Sequence, residues 1–307
     1  MSDRLNIQYL THSQIDKTKW DECITHAPNG LIYAYSFYLD HMAKNWDALI
    51  LNDYDAVMPL TWNKKYNIHY LYQPFLAAQL GVFGKNTTEE MTGKFIRAIP
   101  VRFKLIEICL NSDNIINSPS GSDISRSNYV LDLNKPYEEL YQSYKDNIKR
   151  NIKKAKQIGC HATKDFDVEK VIELAVQQMR SYGEESASNV ERFRKLFKFL
   201  HAKQMAITYG ILSPQNELIA SCVFFFSHKR CYYILVGNHP DGRTIGASHA
   251  LIDEFIKDHA GKNMLLDFEG SDIRNLAFFY SSFGARHEVY PALKINRLPF
   301  YLKWLKK

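Results

Sequence analysis

Cysteine is scarce and carries no pattern. The 307 residues hold five, Cys23, Cys109, Cys160, Cys222 and Cys231. The number is odd and no pair has CxxC spacing. This excludes a disulfide framework and a thioredoxin-like redox motif, and it points to buried free thiols in a reducing compartment. None has a recognisable His partner, so thiol nucleophilic catalysis has no support. The 11 His are scattered, so no metal site is expected. No window approaches the roughly 18 apolar residues that a spanning helix needs. The opening MSDRLNIQYL turns polar too early for a signal peptide and has no small-residue cleavage site. A cytoplasmic protein is expected. A strong charge of either sign is also lacking. The net charge is +6, which admits an anionic partner without demanding one.

What the sequence does have is length for two domains and many aromatics, 19 Tyr and 18 Phe. These suit large cores and apolar clefts without identifying a ligand. In the first half, the pattern predicts a helix over 18–25 with Trp20 inward, then a helix to about residue 44 capped by Ser36. Strands follow over 47–51 and 56–62 around the turn Asn52-Asp53-Tyr54. A nearly uncharged run, 66–84, leads to a helix over 88–99 and strands over 105–110 and 129–133, with a polar loop, 111–126, between them.

Residues 137–158 read as one long helix, started after Pro136 and stopped at Gly159. Helices over 167–181 and 190–203 precede strands over 205–212, 217–227 and 230–237, whose short turns make an antiparallel meander. A loop over 238–243, a helix over 247–259, a strand over 264–268, a helix over 273–283 and a final strand complete the order. The fold class is mixed α+β, with domains expected at 1–150 and 151–307. No sequence repeat links the halves, but both progress from helices to a meander, which admits a duplicated fold.

Three places carry candidate chemistry. In the strand over 264–268, Asp267 and Glu269 are two apart and so share a side, while Phe268 points into a core. A carboxylate at a strand end can take a proton from an attacking amine, directly or through water; it can equally be a salt-bridged or capping group. Ser271 is a candidate cap for the helix that follows. Between strand and helix, Arg243, Gly246, Ala247 and Ser248 offer a cationic fork, a close backbone approach and helix-start amides for phosphate oxygens; the alternative is a plain loop and cap. On the long helix, Arg150 and Lys154 share a face, as do Lys149 and Lys153. Such a face suits tRNA phosphates or an anionic lipid headgroup, or simply water. Duplex DNA is not expected, and the chain is expected to be a monomer or homodimer.

The segment LDFEGSDIRNLAFFYSSFGA, with Asn151 to Gly159 upstream and LNDYDAVMPLTWNKKYNIHYLYQPFLAAQLGVFG in the first half, resembles the tandem acetyltransferase-like proteins (GNAT superfamily) related to the FemAB peptidoglycan aminoacyltransferases. The likeness runs from about Ile32 to Ala285. It implies two acyl-CoA N-acyltransferase-like domains in tandem, the second carrying the donor site. It implies that Arg243 to Ser248 matches the family's pyrophosphate loop, Arg/Gln-x-x-Gly-x-Gly/Ala, departing from it at Ser248. It implies that Tyr280, four residues before Gly284, protonates a departing thiolate. The Asn and Ala familiar further upstream are Ile273 and Leu276 here. Tyr72, Gln73 and Gln79 would line the substrate cleft from the first half. No permanently bound cofactor is implied; acyl-CoA or another activated donor would be a co-substrate, and a small-molecule amine the acceptor. Aminoacyl-tRNA as donor in cell-wall synthesis, and a non-catalytic binding protein on the same fold, are the alternatives. The chain lacks the coiled-coil arm common in tRNA-using members. Transfer would need orientation, amides for the oxyanion and a proton route, with no covalent enzyme intermediate.

Overall fold

The computed structural model describes residues 6–116, 124–180, 187–270 and 272–300, the side chains of residues 179, 180 and 243 excepted. The chain divides into two compact units, Met1–Arg126 with Val289–Lys307, and Ser127–Glu288. The boundary therefore falls before residue 127 rather than at 150. The reason is packing: the helices that follow residue 136 bury Leu140, Tyr144, Ile148 and Ile152 in the core of the second unit. The last strand instead returns to the first.

In the first unit, helix α1 (Lys17–His26) starts where the Asp16 carboxylate accepts from the amides of Thr18 and Lys19, and it buries Trp20 and Ile24 one turn apart. Helix α2 (Ser36–Met42) has Tyr35, not Ser36, as its N-cap. The Ser36 hydroxyl and amide are taken by the Asp21 carboxylate. Strands β1 (Ile7–Leu10), β2 (Asn45–Leu51), β3 (Ala56–Lys65) and β4 (Ile68–Leu71) pair antiparallel in sequence. The short β5 (Phe83–Gly84) pairs with β3. Helix α3 (Glu89–Ala98), capped by Thr88, crosses to β6 (Phe103–Cys109), which pairs parallel with β4. The Leu49, Met58, Phe95, Phe103 and Ile106 side chains fill the core.

The second unit takes in β7 (Ile124–Asp132) from Ser127 on. Residues 137–158 form two helices, α4 (Tyr137–Ser143) and α5 (Asp146–Ile158), not one. Tyr144 and Lys145 are extended between them. Tertiary packing imposes the break: the Lys145 amide donates to the Ser282 carbonyl, and the Tyr144 ring meets Phe283 edge-on at 5.2 Å. A Cβ on Gly284 would come within 2.5 Å of Ser143 Oγ, so only glycine lets the chain pass so close.

Strand β8 (His161–Lys164) and helices α6 (Val168–Arg180) and α7 (Ala187–Ala202) lead into β9 (Ala206–Leu212), β10 (Leu218–Ser227) and β11 (Arg230–Asn238). The expected antiparallel meander is present. His228 and Lys229, both at positive φ, make the two-residue turn between β10 and β11. The stretch expected as a loop is a short helix, α8 (Pro240–Ile245), with Pro at its start. Helix α9 (Ala247–His259) crosses to β12 (Leu265–Asp267), parallel to β11 and antiparallel to β7. Helix α10 (Arg274–Ser281) follows, then β13 (Arg286–Asn296). From Val289 on, β13 belongs to the first unit, where residues 292–296 pair antiparallel with β6.

The order in the first unit is β1-β2-β3-β4-β6-β13, and in the second β8-β9-β10-β11-β12-β7. Among the described residues no helix is long and apolar enough to cross a membrane.

Candidate functional site

The parallel pair β11–β12 is short. Its pairs are Arg230 with Leu265, Cys231 with Leu266 and Tyr232 with Asp267. There β12 stops, while β11 continues to Asn238. At the same level the β10–β11 register slips: Phe224 pairs with Tyr233, but Val223 pairs with Leu235. Ile234 is thus an extra residue, a β-bulge that bends the strand and re-aims its backbone. The two parallel strands part where the bulge lies, and β11 from Tyr233 onward has no β12 partner.

The residues that follow β12 sit at this parting. Glu269 and Gly270 both have left-handed backbones, with φ of 67° and 82°. For a glutamate this is an uncommon conformation, of the kind that collects at functional sites. It also breaks the strand alternation, so Asp267 and Glu269 do not do the same work. Asp267 is buried, and its Oδ2 lies 2.6 Å from Arg230 Nη1. Its Oδ1 accepts from the Glu269 amide at 2.8 Å. Asp267 is therefore a structural carboxylate rather than a catalytic one: its oxygens are spent holding Arg230 and shaping the turn that presents Glu269.

Tyr280 closes the site from α10. Its ring stacks on Phe268, with centroids 4.7 Å apart, and lies edge-on to Tyr233 at 6.4 Å. Burial first, and the negative charge of Glu269 second, push its hydroxyl pKa up. Tyr280 therefore keeps its proton at neutral pH. Glu269 is thus close enough for its charge to act on the Tyr280 hydroxyl. Ser271 lies outside the described residues. The N-cap of α10 is Ile273, with no side-chain cap.

The stretch from Arg243 to Ser248 is reordered. The side chain of Arg243 lies outside the described residues. Gly246 has φ of 83° and joins α8 to α9; a Cβ there would lie 2.7 Å from the Asn151 carbonyl oxygen. Its freedom thus serves the packing of α5 against this turn. Ala247 is buried, and Ser248 Oγ donates to Asn238 Oδ1 at 2.6 Å, tying α9 to the end of β11. Lys154 reaches the same turn, donating to the Thr244 carbonyl at 2.8 Å. On the rest of the basic face, Lys149 donates to the Gln142 carbonyl and Lys156 lies 3.7 Å from Asp253. Arg150 and Lys153 have no side-chain hydrogen bond or ion pair among the described residues.

The first-half candidates serve the scaffold. Gln73 donates to the Ala77 carbonyl and accepts from the Cys109 amide. Buried Gln79 accepts from the Ser112 amide. The Tyr72 hydroxyl accepts from the Lys44 amide. These amide side chains satisfy backbone groups of an irregular, buried segment, so they do not line a cleft as expected.

One residue near the site had no signal in the sequence. His249, in the first turn of α9, lies edge-on to Phe279 with ring centroids 4.9 Å apart. Burial lowers its pKa to about 4. Only the pairing of α9 with α10 makes it a neighbour of the Tyr280 helix.

Comparison with known proteins places this geometry. The family model described as Acetyltransferase (GNAT) domain matches residues 142–272. No curated protein matches the sequence. The crystal structure of FemX superposes with a TM-score of 0.63 at 12% identity, covering 92% of this chain and 96% of that one. A conserved protein of unknown function from Bacteroides thetaiotaomicron gives 0.55 at 12% identity, covering 94% and 99%. The C-terminal domain of a protein described as a candidate lysylphosphatidylglycerol synthetase from Agrobacterium fabrum gives 0.54 at 6% identity, covering 92% of each chain. Residues 142–272 thus match a GNAT acetyltransferase domain, and the chain shares with FemX a fold that extends over nearly its whole length, a tandem GNAT-like fold.

Proposed function

We propose that the second unit is an N-acyltransferase that moves an acyl group from a thioester, an acyl-CoA or acyl carrier, to a small-molecule amine. The observation that carries this reading is the parting of β11 from β12 at the Ile234 bulge, with Glu269 and Tyr280 at its edge. A parted parallel pair offers strand amides and carbonyls to an extended ligand, and a bulge amide suits the oxygen of a tetrahedral intermediate. The amine nitrogen attacks the thioester carbonyl carbon, and the carbonyl π electrons move to oxygen. The ammonium proton leaves to Glu269 through water. Collapse breaks the C–S bond, and the departing thiolate takes the proton of Tyr280. Orientation supplies the rest, without a covalent enzyme intermediate. The donor's phosphates would lie toward Gly246, Ala247 and Ser248, with Lys154 and Arg150 alongside.

A second reading, aminoacyl transfer from charged tRNA as in FemAB-type proteins, is favoured by the exposed Arg150 and Lys153 on α5 and by the FemX fold. An anionic lipid headgroup is the further candidate for that face. Titration calorimetry of the intact chain separates these readings. Saturable binding of acetyl-CoA or a longer acyl-CoA supports the first. Binding of aminoacyl-tRNA that weakens steeply with salt, with no response to any thioester, replaces it with the second. Indifference to both removes acyl transfer.

A further inference from the structure

Among the described residues the three most exposed large hydrophobic side chains are Tyr66, Phe300 and Val101, at 86%, 85% and 75%. They are far apart in sequence, yet strand register gathers them at one end of the first unit's sheet. Tyr66 and Asn67 form the turn between β3 and β4, where Lys65 pairs with Ile68. Val101 stands two residues before Phe103, which pairs with His69 of β4. Phe300 follows β13, whose Asn296 pairs with Leu105. There the Arg297 amide donates to the Lys104 carbonyl at 2.7 Å, and its guanidinium donates to the Ile99 and Pro100 carbonyls.

Tyr66 costs the fold something and recovers little within it. Its φ of 48° is left-handed, in a two-residue turn of the kind that favours Asn and Gly. A bulky residue is uncommon there. The exposed ring gains no burial; Lys65 Nζ lies 5.4 Å from its centroid. The charge around the three tips is of one sign. Residues 63–69, 99–104 and 295–300 hold Lys64, Lys65, Arg102, Lys104 and Arg297, and no Asp or Glu. Arg102 is paired with buried Asp47 at 2.7 Å. The other four have no carboxylate within ion-pair distance among the described residues. The apolar groups are thus separate strand-end tips among cations, not a groove. A folded partner would have to match such tips in shape. A bilayer interface fills in around them, accepts aromatic and aliphatic side chains at headgroup depth, and brings anionic phosphates to the cations.

We propose that this end of the first unit is a peripheral docking surface for an anionic lipid bilayer. Tyr66, Val101 and Phe300 enter the interface, and Lys64, Lys65, Lys104 and Arg297 meet headgroup phosphates. The surface is separate from the basic face of α5. The inference does not rest on the acyltransferase reading, and its test uses no acyl donor.

The test is sedimentation of the intact chain with phosphatidylcholine vesicles, with and without phosphatidylglycerol. The wild type should bind the vesicles that contain phosphatidylglycerol, more weakly as salt rises, and should stay in the supernatant with phosphatidylcholine alone. Tyr66→Asn combined with Val101→Ser should weaken partitioning roughly tenfold or more. Its melting temperature should be at or above that of the wild type, because Asn suits the turn. Lys64→Gln combined with Lys65→Gln should weaken partitioning roughly thirtyfold at physiological ionic strength. No binding by the wild type overturns the proposal, as does equal binding to phosphatidylcholine alone. Binding that survives both pairs of substitutions, or that is lost only with Arg150→Gln and Lys153→Gln, assigns the lipid to another face and also overturns it. A concentration-dependent dimer that Tyr66→Asn dissolves, without vesicle binding, replaces the bilayer with a second copy of this chain.

Discussion

The two units repeat one strand plan and finish it differently. In each, an antiparallel run of four strands ends on a strand that pairs parallel with the next one, β4 with β6 and β11 with β12. Each parallel pair lies beside a bulge or register shift. In the first unit the space beyond Leu71 is filled by the chain itself. Gln73 accepts from the Cys109 amide, and the Leu80 amide donates to the Cys109 carbonyl. Tyr72 is tied to Thr61 through both backbone and side chain. In the second unit the short helix α8 takes the place of that segment. The corresponding edge is lined by Glu269, Tyr233 and Tyr280 instead. The same parting of strands is closed by backbone hydrogen bonding in one unit and furnished with titratable groups in the other. On the proposed reading, a duplicated plan carries one reactive centre, in the second unit.

The largest expected effect falls on Glu269. Glu269→Gln should lower turnover roughly 10²- to 10⁴-fold with acyl-donor affinity nearly intact, measured by steady-state kinetics and calorimetry. Full activity in this variant would leave the second parting no more reactive than the first. Next is the support beneath it. Asp267→Asn leaves the Arg230 guanidinium buried with Glu288 3.5 Å away as its remaining carboxylate. The cost should be about 3 kcal/mol or more in urea unfolding.

His249 gives a pH signature of its own. Its folded pKa, about 4, lies below the ordinary 6.5 because of burial. Between those values the unfolded chain binds the proton and the folded chain does not, so stability rises with pH across that window. The contribution is fully present above pH 6.5 and is lost as pH falls toward 4, up to about 3 kcal/mol. Subtracting the stability–pH curve of His249→Phe from that of the wild type should isolate this slope. A difference curve that is flat from pH 4 to 6.5 would mean that the ring is hydrated rather than buried. The smallest effect concerns the filled parting. Gln73→Ala strands the Cys109 amide and the Ala77 carbonyl, and should cost roughly 1–3 kcal/mol of stability. Turnover per folded molecule should not change. A loss of turnover beyond the folded fraction would show that the first unit takes part in the chemistry.

Much of this was legible in the chain. Period-two runs and tight turns gave β9, β10 and β11 nearly to the residue, because side-chain alternation and two-residue turns are local. Glu269 after an apolar strand was visible for the same reason, whereas Tyr280, four residues before Gly284, was singled out only by the resemblance to a known family. The break at Tyr144 was not legible, since residues 137–158 carry a continuous helical pattern and the competing contacts, Ser282 and Phe283, lie far along the chain. Asp267 was misread because a carboxylate at a strand end looks the same whether or not an arginine waits on the neighbouring strand. That the chain must pass close to something at Gly246 was legible, but that its neighbour is Asn151 was not.

The sequence by itself determined most of the elements, their order and the residue types available at the site, because these follow from periodicity, caps and turns within a few residues. Tertiary structure alone decided which carboxylate is spent in an ion pair and which stands at the parting. It also decided that β13 completes the first unit, and that a histidine with no local signal lies against the Tyr280 helix. Those outcomes depend on contacts between residues tens of positions apart, where a hydrogen bond or a buried charge is fixed by its partner and not by its neighbours in sequence.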